Sequence, residues 1–151
     1  MPSVEINWLA LLAAALISVV VGSLWYAPML FGKQWQKVTG KRAGEMGNGG
    51  LGYGATILGS FLQAFILVHF VRYAGAITAV RGAEAGFWLW LGFVAIASLA
   101  HHIFEGRPWR LWQINAGYFL VCWLSTAPCW PLGVNYLTAV FVRLGFNSLI
   151  T

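Results

Sequence analysis

The sequence predicts an all-α integral membrane protein, a bundle of four transmembrane helices with a short interfacial C-terminal helix. Of its 151 residues, 60% are hydrophobic and 9% are charged, whereas soluble domains carry about 25% charged residues. The charges cluster between long uncharged runs, and no run shows the period-two alternation of a membrane β-barrel. We therefore expect residues 1–151 to form a single transmembrane domain.

Each span is predicted from an uncharged run that reaches the roughly 20 residues of helix needed to cross a bilayer. The first run lies between Glu5 and Lys33, and the second between Glu45 and Arg72. Helices are expected because lipid cannot hydrogen-bond open backbone groups. The four runs predict spans at about residues 6–30, 51–73, 85–104 and 111–130.

The chain after the fourth span is too short to cross the membrane again. Pro128 and Pro131 interrupt the fourth run, and proline kinks or ends a helix because it lacks a backbone N–H. Apolar residues then recur at helical spacing, which predicts a short helix in the membrane interface over residues 132–151. A re-entrant segment is the alternative. The recurring residues are Leu137, Val140, Phe141 and Leu144.

The orientation follows from the basic residues in the loops. Loops one and three contain Lys33, Lys37, Lys41, Arg42, Arg107 and Arg110, whereas the opposite side contains Arg72, Arg81 and Arg143. Loops that remain in the cytoplasm carry the excess of Lys and Arg. We therefore expect a multi-pass protein of a bacterial inner (plasma) membrane with both termini outside.

Small residues recur on the first two predicted helices and indicate where they pack. Such faces let two helix backbones approach closely, so we expect the first two helices to dock along them, with Gln63 and Asn115 directed into the bundle. Exposed aromatics on four spans also favour a homo-oligomer. The small-residue stripes are Ala10, Ala14, Ser18 and Gly22 on the first helix and Gly52, Thr56, Gly59, Ser60 and Gln63 on the second.

Four polar residues near the end of the third span, Ser98, His101, His102 and Glu105, share one helical face. One interpretation is a metal or proton site, because His101 and Glu105 lie one turn apart and can ligate one ion. The other is a histidine pair stabilised by the negative end of the helix dipole. The second interpretation is favoured, because the sequence does not match the HExxH motif of zinc enzymes.

A haem held within one chain is disfavoured. The remaining histidine, His69, lies near the outer end of the second span, whereas His101 and His102 lie near the inner end of the third. A bilayer core about 30 Å thick separates them in depth. A haem bound between two chains stays an alternative, because each chain can supply a matching histidine across a symmetry axis.

The basic loop after the first span is a candidate site for anionic lipid. Lys41 and Arg42 precede the N-terminus of the second helix, and helix N-termini favour phosphate. A basic loop that faces anionic headgroups without a specific site is the alternative. Nucleic acid is not an expected partner, because the basic residues are few and follow the topology rule.

Several motifs together resemble a known family. They are Ile6-Asn7-Trp8, the run from Trp25 to Trp35, the run from Phe104 to Trp109, and Ile114-Asn115-Ala116-Gly117-Tyr118, with Gly86 and Leu91-Gly92-Phe93 between them. Over roughly residues 4 to 121 the chain resembles the bacterial domain-of-unknown-function 1761 family. The resemblance implies a small four-helix inner-membrane protein with no assigned activity and no agreed catalytic residues.

Taken together, these features favour a non-enzymatic oligomeric bundle for small-solute passage, sensing or scaffolding, with no cofactor. Passage needs a polar path through the membrane. The alternatives are an accessory subunit of a larger membrane complex and a haem or metal redox protein that uses the histidines. The residues expected to line a polar path are Gln63, Asn115, Tyr118, Ser98 and His101.

Overall fold

The computed structural model describes residues 6–40 and 49–132, and these residues form helices and turns without strands. Lys41, Arg42 and all but the first residue of the predicted interfacial helix at 132–151 lie outside the described residues. The helices are α1 (Trp8–Trp25), α2 (Gly32–Thr39), α3 (Gly49–Tyr73), α4 (Ala79–Leu89), a π-helical segment (Trp90–Ile96), α5 (Ala97–Phe104) and α6 (Trp109–Thr126).

Three helices are long and apolar enough to cross a membrane, namely Trp8–Trp25, Gly50–Tyr73 and Ala79–Phe104. The predicted span at 51–73 therefore coincides with one helix. In the described part of the chain, α6 does not reach the same apolarity, because its first half carries Arg110, Gln113 and Asn115. The all-α class is confirmed, and the apolar helices are compatible with a membrane protein.

The first helix is shorter than the predicted 6–30. It begins after Asn7, whose side chain accepts hydrogen bonds from the backbone N–H groups of Leu9 and Ala10. It ends at Trp25, because Pro28 lacks an N–H and its ring would collide with the preceding turn. The chain reverses there and forms the separate helix α2, which the uncharged run did not reveal.

The third predicted span, 85–104, starts too late. The rod formed by α4, the π-helical segment and α5 begins at Ala79, where Thr78 caps the helix by accepting a hydrogen bond from the Arg81 N–H. The charged residues Arg81 and Glu84 precede the uncharged run from which the span was predicted, but the helix has already begun before them. The span from Ala79 to Phe104 therefore includes both.

The fourth predicted span, 111–130, has different ends in the structure. Helix α6 starts at Trp109, directly after Pro108, and ends at Thr126, because Pro128 removes the next backbone donor. The chain turns at Ala127 and residues 129–132 form a further helical turn. Trp130 in this turn is 1% exposed.

Helix α6 is the helix around which the others pack. It contacts α1, α2, α4, the π-helical segment and α5, whereas α3 packs against α1 and α4. The buried apolar cluster lies at the end of the bundle opposite to α2. It contains Ala10, Leu11, Ala14, Ala64, Leu67, Val68, Val71, Ala76, Ala127 and Trp130.

The small-residue stripe of α1 is buried as expected at Ala10, Ala14 and Ser18. Of the stripe expected on the second helix, Ser60 is buried and Gln63 is half-buried. The other buried residues of α3 are Ala64, Leu67, Val68 and Val71. Gly52, Thr56 and Gly59 are exposed, because the first half of α3 extends away from its neighbours: every residue from 50 to 59 is exposed.

Candidate functional site

A cleft lies where the chain reverses between α1 and α2 and meets the first half of α6. We call it the corner cleft, and its volume is about 290 Å³. Two aromatic side chains form part of its walls, and its polar side chains are two amides and one guanidinium. The lining residues are Trp25, Phe31, Gln34, Arg110, Gln113, Ile114 and Gly117.

The corner itself depends on a glycine. The backbone N–H of Gly32 donates to the carbonyl of Ala27 at 3.1 Å, and that of Phe31 donates to the carbonyl of Trp25 at 3.1 Å. A Cβ at residue 32 would collide with the carbonyl oxygen of Tyr26 and would lie 2.8 Å from that of Ala27. Only glycine permits this tight reversal.

Two side-chain hydrogen bonds hold the corner against α6. The indole N–H of Trp25 donates to the carbonyl of Ile114 at 3.0 Å, and the Tyr26 hydroxyl donates to Oδ1 of Asn115 at 3.1 Å. Tyr26 lies just beyond the end of α1, where burial, with a smaller effect from Cys122, raises its pKa to about 12. The hydroxyl therefore keeps its proton and remains a donor at ordinary pH.

Ring contacts complete the corner. The rings of Trp25 and Phe31 lie 4.6 Å apart, and those of Tyr26 and Tyr118 lie 5.5 Å apart. Helices α1 and α6 approach closely, since a Cβ added at Gly22 would lie 3.2 Å from the Tyr118 hydroxyl. The aromatic walls of the cleft are therefore held in place from both helices.

The charges around the corner cleft are positive. Arg110 lies on the first turn of α6 and its side chain is exposed. Lys33 and Lys37 are exposed on α2, which packs against α6. None of the residues that line the cleft is acidic. Such a cleft is suited to an anion attached to an apolar body, because the guanidinium and amides can bind the anion and the rings can contact the rest.

The structure separates the polar residues predicted from the sequence. Asn115 and Tyr118 meet at the corner, as described above. Gln63 lies in a different groove, beside α3. Ser98 accepts a hydrogen bond from the Trp112 indole at 3.0 Å, and His101 is exposed. The residues expected to line one polar path therefore lie in four separate places within the described part of the chain.

The two adjacent histidines have different surroundings. His102 is 8% exposed and its Nε2 lies 2.8 Å from the carbonyl oxygen of Pro108, which ties the end of α5 to the start of α6. Glu105 forms an ion pair with Arg107 in the exposed turn between the two helices.

His69 lies on α3, with Nδ1 2.8 Å from the carbonyl oxygen of Phe65. Among the described residues, no three His, Cys, Asp or Glu side chains form a group able to hold a metal ion.

The sequence did not predict the corner cleft. Trp25 and Gln34 lie in one of the runs that resemble the family, but Trp25 was placed within a span, and no site was assigned to Gln34, Arg110 or Gln113. The available signal was Pro28, which ends α1 and directs the following residues back towards α6. The two lipid-phosphate candidates, Lys41 and Arg42, lie outside the described residues.

The chain was compared with known proteins. A family model described as a protein of unknown function (DUF1761) matches residues 9–129, which extends beyond residue 121, where the resemblance seen in the sequence ends. No significant match was found among curated proteins or among solved structures. Because the matched segment makes up most of the 151 residues, the chain belongs to the DUF1761 family.

Proposed function

We propose that the protein is a non-enzymatic membrane scaffold with four spans, which holds an anionic lipid headgroup in the corner cleft. The observation that carries this proposal is the cleft between α1, α2 and α6, with Arg110 at its edge and Trp25 and Phe31 in its walls. Scaffolding is favoured over solute passage, because the polar residues expected to line a path do not meet.

The fourth span of the proposal is α6. Its 18 residues extend about 27 Å, close to the thickness of a bilayer core of about 30 Å. Its polar residues do not count against a span, because Asn115 lies among other helices and the exposed Arg110 and Gln113 lie in the first two turns of α6, at the proposed inner interface. Asn115, for example, is paired with Tyr26.

The basic end of the bundle is proposed to face the cytoplasm. Lys33, Lys37 and Arg110 lie at this end, where the inner leaflet presents anionic lipid and attracts basic side chains. Both termini are then outside. A phosphate near Arg110 would also lie near the free N–H groups of the first turn of α6, which has no side-chain cap.

The test is selective retention of lipid by the purified full-length chain. The protein is extracted in mild detergent, mixed with equal amounts of phosphatidylglycerol and phosphatidylcholine, and examined by native mass spectrometry. We expect phosphatidylglycerol to be retained preferentially, and Arg110→Gln to reduce that preference about fivefold, since one basic residue near the surface contributes about 1 kcal/mol.

The matched control is Arg81→Gln, which removes an exposed arginine from α4 near the other end of the bundle. It should leave the preference unchanged. Equal loss in both variants would show that net charge alone attracts the lipid. A wild-type chain without any preference would refute the headgroup site.

A further inference from the structure

One face of α3 is left uncovered by the part of the chain that the structure describes. Its positions are spaced alternately by four and three residues, which is the spacing that two helices use to pack along each other as a left-handed pair. Gln63 is half-buried and the other members are exposed. We call this face the α3 seam, and it consists of Gly52, Thr56, Gly59, Gln63, Ile66 and Phe70.

Four residues of the seam, Gly59, Gln63, Ile66 and Phe70, form one wall of an apolar groove of about 470 Å³ between α3 and the rod of α4 and the π-helical segment. Leu89 and Phe93 form the opposite wall, and Trp123 of α6 also lines it. Gln63 supplies the one amide side chain of this lining, and it makes no hydrogen bond in the part of the chain that the structure describes. The groove is thus apolar except for this amide, which both donates and accepts, and the indole N–H of Trp123, a buried donor that also has no partner among the described residues.

The depth of Gln63 makes this unpaired amide costly. Helix α3 runs from Gly49 to Tyr73, so Gln63 lies two residues, or about 3 Å along the axis, from its midpoint. In the membrane orientation proposed above, this is the middle of the hydrocarbon layer. Lipid tails offer neither donors nor acceptors there, and an amide without a partner is strongly disfavoured.

We propose that the partner is a second copy of this chain, which packs on the α3 seam so that the two Gln63 amides hydrogen-bond across a two-fold axis. A lipid tail would fill the apolar groove but would leave Gln63 unpaired. An identical helix brings an identical amide, and an amide is complementary to itself, because it carries both donor and acceptor atoms. A single polar residue in such a seam also fixes the register of the two helices.

Gly59 allows the close approach that this pairing needs. It lies one turn before Gln63 on the seam, and a Cβ built there meets no atom within 4 Å. Small residues at this spacing let two helix backbones come together in a membrane. The inference rests on the proposed membrane insertion, but not on the headgroup site, which lies at the other side of α6.

The first measurement is self-association of the full-length chain in liposomes. Donor- and acceptor-labelled protein is reconstituted at several protein-to-lipid ratios, and the dimer dissociation constant is obtained from energy transfer. We expect Gln63→Leu to weaken the dimer about 3- to 30-fold, the range found for interhelical hydrogen bonds in membranes. Gln63→Asn keeps an amide and should retain more of the affinity than Gln63→Leu.

The second measurement locates the interface by disulfide cross-linking. Gly59→Cys places a thiol on the seam, whereas Ile57→Cys places one about 160° around the same helix at a similar depth. The wild-type chain gives the background from Cys122 and Cys129, which are buried and half-buried. We expect Gly59→Cys to form dimers readily and Ile57→Cys to remain at background.

Three results would overturn the proposal. The first is a wild-type chain that stays monomeric at every protein-to-lipid ratio, whether or not a lipid is bound in the groove. The second is a dimer with the same affinity in Gln63→Leu, and the third is a dimer that cross-links through Ile57→Cys instead. Monomeric protein that still selects phosphatidylglycerol would refute the dimer alone, whereas a dimer without lipid preference would refute the headgroup site alone.

Discussion

The two sides of the bundle differ in whether their polar side chains find hydrogen-bond partners within the described part of the chain. Where α1 meets α6, Trp25 donates to the carbonyl of Ile114 and Tyr26 donates to Asn115, whereas the indole N–H of Trp123, further along α6, is buried without a partner among the described residues. Along the α3 seam, the amide of Gln63 has no hydrogen bond within the described residues, and residues 50–59 are exposed on every side. The first interface is complete within one chain, and the second is not.

This difference also explains why hydropathy alone misjudges α6. The helix with the most neighbours carries Gln113 and Asn115, whereas the exposed half of α3 is rich in glycine and apolar residues. A helix that packs against other helices can satisfy polar side chains there, and a helix that faces lipid cannot. The half-buried Asn115 of α6, which is paired with Tyr26, therefore indicates an internal position, and the unpaired amide of Gln63 in α3 indicates an absent neighbour.

The largest expected effect comes from Gly32→Ala on the closed side. The added Cβ would collide with the carbonyl of Tyr26 and lie 2.8 Å from that of Ala27, and backbone atoms cannot move aside cheaply. We expect a loss of about 3 kcal/mol of stability, the upper end for added volume in a packed site, measured as a lower midpoint of thermal unfolding in detergent.

The matched variant, in the exposed half of α3 but off the seam, is Gly54→Ala. A Cβ at Gly54 meets nothing within 4 Å, and alanine is about 1 kcal/mol better than glycine inside a helix. Its unfolding temperature should therefore equal or exceed that of the wild type. If both variants were destabilised alike, the contrast between the two sides would not hold.

A smaller effect is expected from the hydrogen bond between Tyr26 and Asn115. Tyr26→Phe removes the donor and should cost about 1 kcal/mol, the usual net value of one such bond. Asn115→Leu removes the acceptor, and the double variant should lose less than the sum of both. Strictly additive losses in a double-mutant cycle of unfolding free energies would mean that the two side chains do not interact.

The sequence was most informative about the helices. An uncharged run located α3 closely, because Glu45 and Arg72, the charged residues that bound the run, lie close in sequence to the two ends of the helix. Pro28 was within the predicted first span, and its effect on the chain direction was overlooked because charge alone defined the boundary. The same criterion placed the start of the third span after Glu84, although Thr78 caps the helix earlier.

The candidate site was harder to predict, because it depends on how the helices rotate against each other. Ser98, His101, His102 and Glu105 share a face by spacing, but only part of that face meets α6, so His102 is buried and His101 is exposed. Likewise, Gly52, Gly59 and Gln63 form a face that turns away from α1. Spacing identifies residues that share a face, but it does not say which neighbour the face meets.

The central claim is that α1, α3, the rod from α4 to α5, and α6 each cross a membrane. The most direct measurement is labelling of single cysteines with a membrane-impermeant maleimide in bacterial spheroplasts, before and after permeabilisation. The positions are Lys37→Cys on α2, Val80→Cys at the start of α4 and Leu132→Cys after α6, all of them exposed, with the wild-type chain as background. The account predicts that Val80→Cys and Leu132→Cys react in intact spheroplasts and that Lys37→Cys reacts only after permeabilisation. Reaction of Leu132→Cys only from the inside, together with Lys37→Cys, would contradict it.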